Sequence, residues 1–334
     1  MIDMLLVSEI RAELHRRAQG LLPDRYESFD ELLNVALENQ LRLEEQGGPG
    51  PIEIAEPFVQ TEPKAHPVPG HSDPYIEALD SKLFGSLPEP PDPGTWSSPV
   101  LWGQVNRLLP VMVGARVLGH LHLETEFQEI PLAVWHEKAA ALATALHLHL
   151  LDLDHEAQRR RGDLWSIGFP RGDRASTRRY ANQFLGRGSS RAPGAAEMLG
   201  LVTIRRAGDE ATAAITAAGV EWNALRNPVL DERESTETIS EAEADVYLRI
   251  LSRQLPEERS FMALMAELIE ETNSRTALED ELIRRRPDLE KYASTMRAGA
   301  IGRLHDLGFL ERTREGTSVR YSLAPRATRL NLIA

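Results

Sequence analysis

The stretch STMRAGAIGRLHDLGFL (Ser294–Leu310), followed by ERTREGTSVRYSL (Glu311–Leu323), decides how the chain is read. Met296, Ala300, Leu304 and Leu307 recur at three and four residues, which gives a helix one apolar stripe. Ser294 is placed to be its N-cap. Gly308 stands where a helix ends in a left-handed residue. Phe309 to Arg314 and Ser318 to Leu323 then read as two strands, with Val319, Tyr321 and Leu323 on one face and Glu315-Gly316 in the turn.

Working back from this module, residues 156–227 repeat its theme. Ser176 is placed to cap a helix over Thr177 to Leu185, and "LGLV" at 199–202 echoes "LGFL" at 307–310. Thr203 to Arg206 and Ala211 to Ile215 read as hairpin strands around Gly208-Asp209, and Thr216-Ala217-Ala218-Gly219 opens a new helix. Ahead of the last module, helices are expected over Ala242 to Ser252 and Glu257 to Glu271. A third opens at the capping box Thr276-Ala277-Leu278-Glu279 and stops before Pro287.

Helix, "LGF/LV" exit and charged hairpin together resemble the recognition helix and wing of winged helix-turn-helix proteins of the MarR, ArsR and PadR kinds. The resemblance covers roughly residues 243–325, and a second, degenerate winged helix is read over about 163–228. The fold class this implies is mainly α, with tandem winged-helix (α+β) units, a helical N-terminal segment and short β-hairpin wings.

The first 46 residues read as a short strand and two helices. "RYESFDELLNVALENQLRLEE" resembles the second helix of a ribbon-helix-helix protein, although Met4-Leu5-Leu6-Val7 carries no alternating Lys, Arg or Asn for base reading. A dimerising ribbon-helix-helix unit and a plain helical hairpin both remain open. Residues 47–98 are a Pro/Gly-rich linker by composition, with only Tyr75 to Phe84 suited to a short helix. Residues 99–230 read as a helical region containing the degenerate winged helix, with one buried helix interrupted at Pro110 and another over Ala133 to Asp152. Residues 240–334 form the C-terminal winged helix.

The chain has 334 residues, no cysteine and a net charge of −13. The missing cysteines remove disulfides and thiolate chemistry and fit a cytoplasmic protein. No apolar run reaches transmembrane length, and the N-terminus lacks a basic start and cleavage site, so no membrane partner is expected. An acidic sum argues against wholesale coating of nucleic acid, but the distribution matters more. Residues 158–206 hold 11 Arg against three acids, and residues 291–329 hold eight cations against three acids; residues 231–245 hold seven acids and one Arg. Both basic stretches coincide with the helix-turn-helix candidates.

No phosphate loop, dinucleotide fingerprint, nucleophile elbow or HExxH motif is present, so no enzyme and no cofactor is expected. The pairs His120/His122 and His147/His149 have no third ligand in sequence, and no metal is expected. On the winged-helix resemblance, Thr295, Arg297, Ala298 and Arg303 lie at or near the major groove, with Arg297 on guanine and with Ser294 and the helix N-terminus near a phosphate. Arg312, Arg314 and Arg320 reach phosphate or the minor groove. Arg171, Arg174, Arg178, Arg179, Arg187, Arg191, Arg205 and Arg206 supply phosphate contacts from the second unit.

The function expected is binding of double-stranded DNA, as a transcriptional regulator or a DNA-sensing component of a mobile-element or defence locus, in a homodimer or with a partner protein. The alternative is a non-enzymatic adaptor whose winged helices bind other chains, similar to the kleisin-associated partners of SMC complexes.

Overall fold

The computed structural model describes residues 76–92, 98–126, 128–159, 162–187, 193–207, 210–232, 237–272, 274–315 and 318–332. The chain divides into two units, 1–67 and 68–334, and every described residue belongs to the second. The opening segment, with its ribbon-helix-helix and helical-hairpin alternatives, lies outside the described residues.

The second unit is mainly helical, with small antiparallel sheets. Helix α1 (Leu109–Glu124) is its centre. Thirteen of its residues are buried, from Leu109 round to His122, as expected of a helix that is apolar on every side. Pro110 does not interrupt it. It occupies the first turn, where the missing N–H has no partner to lose. A two-residue strand β1 (Ile130–Pro131) leads into α2 (Leu132–Glu156). Helix α3 (Arg174–Tyr180) is continued by a π turn, Ala181–Leu185. Its cap is Asp173, which accepts from the Ser176 N–H at 2.8 Å. Ser176, expected as the cap, sits inside the first turn and donates its hydroxyl to the Asp173 carbonyl.

Next come α4 (Ala195–Met198), β2 (Val202–Ala207), β3 (Glu210–Ile215), α5 (Ala217–Asn223) and α6 (Pro228–Glu232). Sheet order is β1-β3-β2, all antiparallel, with Val202 opposite Ile215. Thr216 caps α5 as the sequence implies.

The remainder consists of α7 (Glu241–Gln254), α8 (Pro256–Glu271), α9 (Arg275–Arg285), α10 (Ala293–Asp306), β4 (Leu310–Glu315), β5 (Ser318–Leu323) and α11 (Arg329–Leu332). Strands β4 and β5 pair with Leu310 opposite Leu323 and Glu315 opposite Ser318. Ser274, not Thr276, caps α9. Ser294 does not cap α10, because a 3-10 turn, Pro287–Tyr292, runs straight into that helix and puts Ser294 in its first turn.

The two "LG" exits have the same geometry. Gly200 has φ +66° and Gly308 has φ +67°. In each, the residue after the glycine donates back five residues (Leu201 to Ala196 at 3.0 Å, Phe309 to Leu304 at 2.9 Å) and the glycine donates back three. That pair of bonds satisfies the last carbonyls of a helix and turns the chain into a strand.

Residues 76–92, read as linker from their prolines, lie against the body. Leu79 is buried and its N–H donates to Asn223 O at 2.9 Å. Arg116, wholly buried on α1, explains the attachment. It pairs with Asp231 at 3.0 Å and also donates to the carbonyls of Ile76 (2.9 Å) and Leu225 (2.8 Å). A buried guanidinium needs several acceptors, and an extended segment offers carbonyls that no ladder uses. One hydrophobic cluster runs from Leu79 to Leu330, so the regions 99–230 and 240–334 share a core. Among the described residues no helix is long and apolar enough to cross a membrane.

The segment 101–108 crosses α10 at glycines. A Cβ added at Gly299 would stand 2.6 Å from the Gly103 Cα. Gly299→Ala is therefore expected to cost about 1–3 kcal/mol by overpacking, whereas Gly85→Ala, with nothing within 4 Å of the added atom, is not. Urea unfolding of the two variants checks this, and equal midpoints would show the crossing to be loose.

Candidate anion-binding cleft

Helix α10 does not present all the arginines expected of it. Arg303 is 0% exposed. Its guanidinium pairs with Glu258 of α8 at 2.7 Å, also wholly buried, and donates to the Val105 carbonyl. Glu258 accepts from the Leu101 N–H at 3.0 Å. These three contacts lock α8, α10 and the 101–108 segment together, and burial raises the Glu258 pKa above the usual carboxylate range. Arg297, 2% exposed, lies 3.3 Å from Glu279 of α9. Arg303 is a packing group rather than a groove reader, because the 101–108 segment occupies the helix face that carries it. Ser294 and Thr295 remain exposed at the start of the helix.

Arg297 is also one wall of a cleft of about 1360 Å³. Its other walls come from residues 104–107, α2, the loop 162–171, α3 with its π turn, and the β4-β5 hairpin. Among the described residues, five arginines line it, Arg107, Arg171, Arg179, Arg297 and Arg312, and no carboxylate does. Arg171 and Arg179 belong to the first basic stretch of the sequence, Arg297 and Arg312 to the second. The fold therefore brings the two stretches to one place.

The five divide by depth. Arg107, 3% exposed, donates to the carbonyls of Gly162 (2.8 Å), Leu164 (3.3 Å) and Gly302 (3.3 Å) and lies 3.5 Å from Asp306. Arg312 meets the same Gly162 carbonyl and pairs with Asp163 at 3.1 Å. Asp306 is held in turn by the Leu108 N–H at 2.8 Å, and burial raises its pKa. The floor arginines are thus each backed by a carboxylate and fixed in direction. Arg171 and Arg179 stand exposed at the rim, and among the described residues neither has an ion-pair partner. Arg174 and Arg178 are exposed beside them on α3.

The loop that supplies the far wall is held by Asp154, 2% exposed. It accepts from the N–H groups of Trp165 (2.8 Å) and Ser166 (3.0 Å) and from the Ser166 hydroxyl (2.7 Å). His147, also lining the cleft, bonds the Ser166 carbonyl through Nδ1 at 3.1 Å, and burial lowers its pKa. The sequence reading missed Arg107 and Asp154. For Arg107 the signal was there: a single charge set in an apolar run, VNRLLPV, marks a group that must be buried with partners, whereas Asp154 shares its run, HLHLLDLD, with Asp152 and the sequence does not separate the two.

The remaining arginines are scattered. Arg187 is exposed. Arg205 is exposed and pairs with Glu129, and Arg206 pairs with the buried Glu197 at 3.0 Å. Arg320 is exposed on β5, Arg314 lies opposite Val319 on β4, and Arg191 is outside the described residues. The His pairs diverge: His122 Nε2 accepts from the Ile215 N–H at 3.2 Å, while His120 bonds the Glu77 carbonyl. Among the described residues no three His, Asp or Glu are grouped to hold a metal ion. Comparison with protein-family models, curated proteins and solved structures finds no match to this chain.

Arg303→Met should cost about 3–5 kcal/mol, the usual loss when one partner of a buried pair is removed. A groove-reading arginine would leave stability unchanged, so the urea midpoint separates the two roles. His305 gives a second test. It lies 3.8 Å from Asp163, and burial, then Arg312 and Arg107, hold its pKa down to about 4. The folded protein then binds fewer protons at this site than the unfolded chain between pH 6.5 and about 4. The His305 contribution is complete above pH 6.5 and is lost as pH falls through that window. Across it His305→Gln should lose less Tm than wild type, and equal losses would remove His305 from the acid response.

Proposed function

We propose that the protein binds DNA by phosphate contacts at the arginine-lined cleft. The observation that carries this reading is the meeting of five arginines, with no carboxylate among the described lining residues, in a chain whose net charge is −13. Cations exposed at a rim attract a polyanion at long range, and the oriented guanidinia of Arg297 and Arg312 below them offer short-range phosphate contacts, while Arg107 commits its donors to the carbonyls of Asn106, Gly162, Leu164 and Gly302 and fixes the floor.

The two helix–glycine–hairpin modules, α3 to β3 and α9 to β5, are read as tandem winged helices. Their matching glycine exits support that reading. In this scheme α10 contributes Arg297 to the cleft, and its first turn, with Ser294 and Thr295, remains accessible. A role in transcriptional regulation or in a mobile-element or defence locus stays compatible with this activity.

One observation favours the second reading, an adaptor whose modules bind protein: the 101–108 segment covers a face of α10. Retention of partially single-stranded duplex DNA of random sequence, at about 50 and about 200 mM salt, separates the two. Wild type is expected to bind with a steep salt slope. Combined Arg174→Ala, Arg178→Ala and Arg179→Ala substitutions, all at exposed positions, should weaken binding and reduce the slope by about 0.9 per lost phosphate contact. No retention by wild type at the lower salt would reject DNA binding and leave the adaptor.

A further inference from the structure

Resting on the DNA reading, the geometry points to a narrower ligand: we infer that the cleft receives one unpaired strand rather than an intact double helix. Depth is the first reason. Arg107 and Arg297 are 3% and 2% exposed, and both line the cleft. Only a group narrow enough to enter can reach them. A duplex carries its phosphates on a stiff convex cylinder that does not bend over so short a distance. It can touch Arg171 and Arg179 at the rim but not the floor. A single strand is flexible and can follow a groove.

Size is the second reason. The cleft, at about 1360 Å³, exceeds the roughly 300–1,000 Å³ of small-molecule sites, so it has room for several nucleotides rather than one small molecule. The third reason is the kind of surface between the charges. Tyr321 lines the cleft half-buried, and the Arg312 guanidinium lies 6.0 Å from its ring centroid. Gln104 and Ala298 line the cleft from the other side, and both are exposed. A half-buried aromatic ring in the wall of a cationic groove is what an unpaired base stacks upon. Stacking needs no particular base, so the site should tolerate sequence.

The test uses the full chain and fluorescence anisotropy at about 150 mM salt. The probes are an oligothymidine of about 12 nucleotides and a blunt duplex of matched length. Wild type is expected to hold the single strand at least about tenfold tighter than the duplex. Tyr321→Ala should weaken single-strand binding about tenfold and leave duplex binding unchanged, and Tyr321→Phe should restore it. Arg171→Ala with Arg179→Ala should weaken both. Equal affinity for the two probes, or equal sensitivity of both to Tyr321→Ala, overturns the single-strand inference while leaving DNA binding in place. Failure of both probes to bind, with the Tm of the protein normal, overturns the DNA reading and this inference with it.

Discussion

The pair between Glu258 and Arg303 is the contact on which the C-terminal architecture depends. Both side chains are wholly buried, and neither would be tolerated there alone. Each also holds a backbone group of the segment that precedes α1: Glu258 takes the Leu101 N–H and Arg303 meets the Val105 carbonyl. One ion pair therefore joins α8, α10 and the lead into the central helix. A few residues on, Asp306 takes the Leu108 N–H and stands beside Arg107. Two successive turns of α10 thus clamp one strip of chain, and glycines at 103, 299 and 302 let the backbones close to clamping distance. The floor of the cleft is a by-product of this clamp, because Arg107 emerges from it with its direction already set.

Much of the fold was legible from local chemistry. The apolar spacing of α10, the alternation of β5 and the two glycine exits are properties of neighbouring residues, and each falls within a residue or two of its reading. Val319, Tyr321 and Leu323 are half-buried while Arg320 and Ser322 are exposed, as a period of two demands. Caps were less legible, for a physical reason. Asp173 and Ser274 each stand two or three residues before the residue read as the cap, and Ser, Thr and Asp are nearly equivalent at that position. Choosing among them depends on where the preceding loop leaves the surface. Pro110 shows the same limit, since a proline breaks a helix or begins one according to what lies upstream.

The site was legible as composition but not as geometry. Counting charge found two basic stretches, and four of the five cleft arginines come from them. Periodicity could not show which arginines would turn inward. Arg303 and Arg297 carry the same label in sequence as Arg178 and Arg179, yet the first pair is buried and the second exposed. What separates them is a carboxylate far away in sequence, Glu258 for Arg303 and Glu279 for Arg297. A buried cation is decided by its partner, and partners at long sequence separation leave no local trace. The prolines of 76–92 misled in the same way, because what draws that stretch to the body is Arg116 looking for carbonyls.

The carboxylates also settle what the −13 sum means for this protein. Each floor arginine has an acid standing behind it: Asp306 for Arg107, Asp163 for Arg312, Glu279 for Arg297. These acids cancel much of the attraction at a distance and at the same time hold the guanidinia in fixed directions. A ligand anion entering the cleft meets donors whose side-chain entropy is already lost to the fold, so less is lost on binding. The rim works the other way. Arg171 and Arg179 are exposed, and among the described residues neither forms an ion pair, so their field extends outward. On the proposed reading, long-range capture and short-range orientation are thereby given to different arginines. An acidic chain can carry both, because the negative sum lies elsewhere, notably in residues 231–245.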